Sequence, residues 1–325
     1  MENYMHTPVI RELKLDEIPP GTIQRFFFHI VSDGMGMPVY VPVIVAKGAQ
    51  EGPILGLTAA VHGNELNGIP VIQRLFKELD VKAMRGMVVG VPVVNVPSLH
   101  RRTRRFLDGH DLNHIMPGKP DGNVSQVYAW RLVDRVVRHF NYLIDLHTAS
   151  SGRINSYYVR ADMINPTTRK LALLQNPQII LHNPPSDGSL RGAANALGIH
   201  AVTVEVGNPF QFQRGMIRDG LTGIHNVLHY LGITTSQLDQ PHEHPPVICK
   251  NSYWIYSGKG GFLYVLPDPA TFVKKGEPIA RLVNVFGDKI VEYSAPEDGI
   301  VIGKEVNPIN QTGGRMLHLG LVGEP

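Results

Sequence analysis

"PILGLTAAVHGNELNGIPVIQRLF", residues 53–76, decides how the chain is read. Its first nine residues are apolar or small without alternation, the pattern of a strand buried on both faces. Ile69, Ile72, Leu75, Phe76 and Leu79 then recur at helical spacing, with Pro70 tolerated in the first turn. Between strand and helix sit His62, Gly63, Asn64 and Glu65. They read either as a polar turn capping the helix or as two thirds of a metal site.

Working outward, the alternation repeats. "MVVGVPVVN" (87–95) is a second buried strand. Ala129, Leu132, Val133, Val136, Val137 and Phe140 mark a helix leading into the strand "YLIDLH" (142–147). "AVTVEVG" (201–207) is another buried strand, and Ile217, Leu221, Ile224, Leu228 and Leu231 mark a further helix. Two strands rich in β-branched and aromatic residues precede them, "IQRFFFHIV" and "VYVPVIVAKG". The expectation is an α/β fold with a mixed, mostly parallel sheet covered by helices.

The texture changes after "QPHEHPP" (240–246), where His242 and His244 read as parts of a solvated connector. From about residue 250 short strands alternate with Gly, Pro and Asp. The division expected is 1–245 and 250–325, the second a small all-β unit whose two halves have the look of a biotinyl/lipoyl-like barrel-sandwich. Asp288–Lys289 invites comparison with a lipoyl-lysine tip, but Gly287 before it and Ile290 after it make Lys289 an ordinary turn lysine.

Composition bounds the function. With 43% hydrophobic and 18% charged residues in 325, a sizeable core is expected and disorder is not. A net charge of +3 without a long basic run argues against nucleic acid or membrane as partners. The single cysteine, Cys249, excludes an intrachain disulfide and suits a reducing cytoplasm. "MENYMHTPVI" lacks the apolar core of a signal peptide, and "PILGLTAAV" is too short to cross a bilayer. A soluble cytoplasmic protein is expected, with assembly into a homo-oligomer left open.

Ligands of open α/β sheets bind beyond the carboxyl ends of the strands. His62, Asn95, His147 and Glu205 all fall at such ends and are expected to wall one cleft. Two histidines and a glutamate are a ligand set that leaves a zinc ion one position for water, so His62, Glu65 and His147 are the candidate metal ligands. Asp145 shares a strand face with His147 and could orient it, although a helix cap or surface pair is an alternative. The spacing H-x-x-E alone is weak in a chain with 15 histidines, and His110, His139 and His229 read as surface or helix-end residues.

"HGNE" (62–65), "DLNHIMPG" (111–118), "DLHTASSG" (145–152) and "VTVEVGNP" (202–209) stand in the order found in the succinylglutamate desuccinylase/aspartoacylase family, which the chain resembles over residues 50 to 235. The resemblance implies a zinc-carboxypeptidase-like fold and zinc-dependent amide hydrolysis with one zinc ion per chain. It carries the ligand roles to His62, Glu65 and His147. It makes Glu205 the catalytic glutamate, which activates water and passes its proton to the leaving nitrogen. An arginine upstream of D-L-N would face the scissile carbonyl oxygen; spacing favours Arg105, with Arg104 next to it. Asn113 matches a substrate-contacting asparagine. The small β domain would cover the mouth of the site and contribute to assembly.

The chain departs from the family at His114, where an arginine commonly grips a substrate carboxylate and a histidine cannot make a two-pronged clasp. Arg191 could take over that carboxylate, or be a helix-surface arginine. The leading expectation is a deacylase acting on an N-acylated amino acid or similar small N-acyl amine. A zinc carboxypeptidase for short peptides would use the same ligands, and a non-catalytic binding or carrier protein is a third reading.

Overall fold

The computed structural model describes residues 7–186, 188–235 and 245–325. The connector residues His242 and His244, and the first six residues, lie outside the described residues. The strand Gln50–Ala59 is parallel to both its neighbours, Arg85–Val91 and Tyr142–His147. His200–Val206 extends the parallel run on the far side of Tyr142–His147. These are the unalternating apolar segments, and helices bury them on both faces.

Strand periodicity sorts their side chains. Leu55, Leu57, Ala59, Ile144, Leu146, Val202, Val204 and Val206 share one core cluster with Val71, Ile72, Leu75 and Phe76 of the helix Gly68–Glu78 and Ile217, Ile224 and Leu228 of the helix Arg214–Tyr230. The alternate positions Leu143 and Ala201 join the other cluster, with Leu132 and Val133 of the helix Val124–Arg135 and Leu190 and Ala193 of the helix Leu190–Ala196. By the same parity Thr58, Asp145, His147, Thr203 and Glu205 point to that second face.

The parallel order is interrupted on both sides of this centre. Pro38–Lys47 joins Arg85–Val91 antiparallel, Thr22–Ser32 joins Pro38–Lys47 antiparallel, and Tyr157–Ala161 joins His200–Val206 antiparallel. The second of these departures has a simple cause: Thr22–Ser32 and Pro38–Lys47 are joined by a turn too short to cross over, and such a connection only permits a hairpin. The sheet is therefore mixed.

It also runs past the expected boundary. Val247–Tyr256 pairs in parallel with Ile179–His182, and Arg315–Val322 and Gly299–Glu305 follow it, giving a sheet of 14 strands. A second sheet of four strands orders as Lys289–Ser294, Pro278–Val283, Gly261–Val265 and Ile309–Asn310. Leu263, Ile279 and Leu282 of this sheet and Val301, Leu317 and Leu319 of the large one form a separate core. The C-terminal β unit thus has its own interior while sharing a sheet with the rest. Lys289 begins a strand directly after the turn closed by Asn284 N–H donating to Asp288 O. No helix among the described residues is long and apolar enough to cross a membrane.

Candidate active site

The chain leaves the strand Gln50–Ala59 through Ala60, which adopts φ 51°, and turns back on itself when Glu65 N–H donates to His62 O. Gly63 permits this turn because a β-carbon there would lie 2.1 Å from the Ser98 carbonyl oxygen. The expected strand 87–95 ends at Val91, and Asn95 instead caps the helix Val96–Arg101. Its Oδ1 accepts from Ser98 N–H and its Nδ2 donates to Val61 O, so Asn95 braces the turn from behind and is not a wall of the cleft.

The turn places His62 Nδ1 2.8 Å from Glu65 Oε1, and His147 Nδ1 lies 2.8 Å from Glu65 Oε2. One atom from each of the three lies within 4.8 Å of the others, and all three side chains are buried. Both imidazoles are held from behind. His147 Nε2 is 2.7 Å from Asp145 Oδ2, and the Thr58 hydroxyl donates to Asp145 Oδ1. His62 Nε2 is 3.0 Å from Asp111 Oδ1. A carboxylate on Nε2 fixes the Nε2–H tautomer and leaves the Nδ1 lone pair facing the common centre.

His147 lies between two carboxylates, which favours a proton on each nitrogen, and a bound cation would take the place of the one on Nδ1. Burial opposes charge on Glu65, but His62 and His147 outweigh it and hold the carboxyl well below the usual range. Burial likewise opposes charge on His147, yet Asp145 and Glu65 raise its imidazole well above the ordinary value. The donor set of two imidazole nitrogens and one carboxylate, each imidazole oriented by a further carboxylate, fits a zinc ion. The nearest cation is Arg104, whose Nη1 is 3.1 Å from Glu65 Oε1 and 3.2 Å from His62 Nδ1.

Glu205 is the register partner of His147 on the adjacent parallel strand, so the two side chains rise side by side. Its Oε1 lies 3.4 Å from the Tyr158 hydroxyl and 3.5 Å from Arg160 Nε, and Asn155 Nδ2 donates to Oε2. Burial pushes its carboxyl up, with Arg160 and His147 pulling less strongly the other way.

Between the two arginines, the structure turns Arg104 inward. Besides Glu65 it donates to Ser150 Oγ at 2.6 Å and to Asp111 Oδ2 at 2.8 Å. Arg105 lies on the cavity rim and donates to Gly109 O instead. Asn113 Oδ1 accepts from Leu190 N–H, tying the D-L-N segment to the start of the helix Leu190–Ala196. His114 is largely exposed, with Nδ1 4.0 Å from Asp111 Oδ2. Arg191 is buried rather than on the helix surface, donates to Asn183 O and Oδ1, and is brought down to about 10 by burial, with Arg160 adding to the effect.

His62, Glu65, His147, Glu205, Arg104, Arg105, Asn113, His114 and Arg191 all line one cavity of about 790 Å³. It also takes Trp254, Arg315 and His318 from the C-terminal unit, which no local pattern flagged, and Arg160 and Tyr158, which follow the alternation of a strand not delimited from sequence. Of the three histidines read as surface or helix-end residues, His110 also lines the cavity.

The chain is 27% identical to an N-alpha-acetyl-L-2,4-diaminobutyric acid deacetylase of Halomonas elongata over 283 residues, 82% of this chain and 81% of that one. It is 27% identical to a succinylglutamate desuccinylase of Pseudomonas paraeruginosa over 170 residues, 48% of this chain and 51% of that one. Among solved structures, the product-bound ectoine utilization protein EutE (DoeB) of Ruegeria pomeroyi superposes with a TM-score of 0.84 at 23% identity, covering 94% of this chain and 98% of that one. A succinylglutamate desuccinylase/aspartoacylase of Rhodobacter sphaeroides gives 0.85 at 21% identity, covering 97% and 99%. The model of the succinylglutamate desuccinylase/aspartoacylase catalytic domain matches residues 51–231, the segment holding the turn at His62, both imidazoles and Glu205. The chain belongs to the succinylglutamate desuccinylase/aspartoacylase family.

Proposed function

We propose that this protein is a zinc-dependent deacylase that hydrolyses the amide bond of a small N-acylated amino acid or similar N-acyl amine. The observation that carries the reading is the convergence of His62, Glu65, His147 and Glu205 at one buried point of a single cavity. The relatives named as a deacetylase and a desuccinylase support it.

His62, Glu65 and His147 would hold one zinc ion. When bound it supplies Lewis acidity, polarising a carbonyl oxygen and bringing the ionisation of water toward neutrality. Glu205 takes a proton from the attacking water. Its raised affinity for that proton, the consequence of burial, suits it to take the proton up and hold it until the more basic leaving nitrogen accepts it. Arg104, held by Ser150 and Asp111, donates toward the amide oxygen as negative charge develops on it. This role passes to Arg104 from Arg105 because only Arg104 reaches the cluster. Asn113 and His114 border the substrate on the D-L-N side, and Arg191 offers a buried cation to a carboxylate.

The division at 245–250 is retained as two functional units, the first carrying catalysis and the second, read as a barrel-sandwich, closing the cavity. The setting proposed is the cytoplasm, with a small molecule as the sole partner needed for the reaction.

The test is turnover of a panel of N-acetyl, N-succinyl and N-formyl amino acids by the zinc-loaded protein. Glu205→Gln is expected to lose at least about 10²-fold in kcat while retaining its zinc, since general acid–base catalysis contributes on that scale. Wild-type turnover by that variant removes Glu205 from its role. Cleavage of dipeptides with acyl amino acids left intact points to the carboxypeptidase reading.

A further inference from the structure

Arg153 opens the strand Arg153–Asn155, just beyond the loop that follows His147, and Arg315 opens the strand Arg315–Val322 in the C-terminal unit. The two guanidinium carbons each stand 5.4 Å from the centroid of the Trp254 ring. His318 stacks on the same indole, with centroids 5.0 Å apart and planes at 12°. One aromatic ring stabilises one cation well; two on the same ring repel each other.

Neither arginine forms an ion pair within 4.0 Å among the described residues. Glu305 lies opposite Arg153 in register, but its Oε1 accepts from Val306 and Asn307 N–H. The acids lining the cavity are Glu65, Asp111 and Glu205, and each is engaged in the cluster or beside it. The wall where Arg153 meets the C-terminal unit therefore carries two guanidinium groups that no carboxylate contacts directly, Glu305 acting on them only from beyond ion-pair distance. His318 reports the same field, since burial, with Arg160, Arg153 and Arg315 adding, drives its imidazole down to about 3.

The geometry points to a carboxylate subsite on this wall, in which Arg153 and Arg315, spread on Trp254, hold an anionic group of the substrate remote from the amide being cleaved. The inference rests on the deacylase reading and narrows it: the carboxylate sits on the acyl chain or on the amino-acid side chain, and a second amine in its place is repelled. Planar guanidinium forks suit a carboxylate, and their attachment to the indole fixes them in advance. The C-terminal unit then selects the substrate and does not merely cover the site.

Two measurements test this on the zinc-loaded full chain. The first compares kcat/KM within matched pairs, N-acetyl-L-glutamate against N-acetyl-L-glutamine and N-succinyl-L-alanine against N-acetyl-L-alanine, with N-acetyl-2,4-diaminobutyrate as the cationic member. The acid member of at least one pair is expected to lead by about tenfold or more, through KM, as a charge-assisted contact implies. Arg153→Gln and Arg315→Gln should each collapse that ratio toward unity, and the lysine variants should restore part of it. The second measures glutarate binding by calorimetry and needs no turnover: each glutamine variant should bind at least about tenfold more weakly than wild type. Melting temperature and zinc content establish that the variants are folded. Equal glutarate affinity in wild type and variants, or preference for the diaminobutyrate substrate, overturns the subsite. If no amide in the panel is cleaved, the deacylase reading falls by itself, and glutarate binding still decides the subsite.

Discussion

Arg104 and Arg105 carry the same side chain at adjacent positions and meet opposite surroundings. Arg102 takes the left-handed conformation at φ 53° as the helix Val96–Arg101 ends, and the chain beyond it sends Arg104 inward and Arg105 to Gly109 O. If Arg104 steadies the oxyanion, Arg104→Gln lowers kcat by about 10²–10³-fold. Arg105→Gln leaves kcat close to wild type, and steady-state kinetics on the best substrate of the panel separates them. The sequence displays both arginines, but which one faces the cluster depends on the path the chain takes after the helix Val96–Arg101, which no pattern of residue types encodes. His62, Glu65 and His147 were legible for the converse reason. Their positions follow from a strand end, a short turn and the period of two, all of which are local.

At the scale of elements, the junction between the two units is a strand pair, Val247–Tyr256 with Arg315–Val322, in which Trp254 faces His318. His318 is 4% exposed and lies 2.8 Å from Ser252 Oγ through Nε2. Its imidazole is brought down to about 3 by burial and by Arg160, Arg153 and Arg315. An unfolded chain takes up that proton below about pH 6.5 while the folded chain does not. The stabilisation is therefore complete above pH 6.5 and is lost as the pH falls from there toward 3. Urea unfolding at pH 7.5 and pH 5 should show wild type losing up to about 2 kcal/mol more than His318→Gln. Equal losses contradict the assignment. Elements with long unbroken patterns were readable, as with Tyr142–His147 and the helix Arg214–Tyr230. Asn95 was misplaced because Pro92 and Pro97 flank a segment as apolar as a strand, and its true role as a cap depends on Ser98 lying above it.

For the whole molecule, one sheet of 14 strands passes through both units. A separate core in the second unit would favour independent melting, while the shared sheet and the shared cavity favour melting together. The parallel ladder between Val247–Tyr256 and Ile179–His182 continues the sheet across the junction, so calorimetry of the full chain should show one cooperative transition. Two resolved transitions contradict that coupling. The change of texture near residue 250 was visible in composition. The joining of the new strands to the old sheet was not, because strand pairing between distant segments leaves no local trace. The contribution of Trp254, Arg315 and His318 to the cavity was hidden for the same reason.

His62, Glu65 and His147 are expected to grip a single divalent cation beside Glu205. Anomalous diffraction at the zinc edge from crystals of the protein purified with zinc tests this directly. One strong peak per chain, bounded by the two Nδ1 atoms and the Glu65 carboxylate, is the predicted result. The absence of a peak there, or its appearance only at other residues, contradicts it.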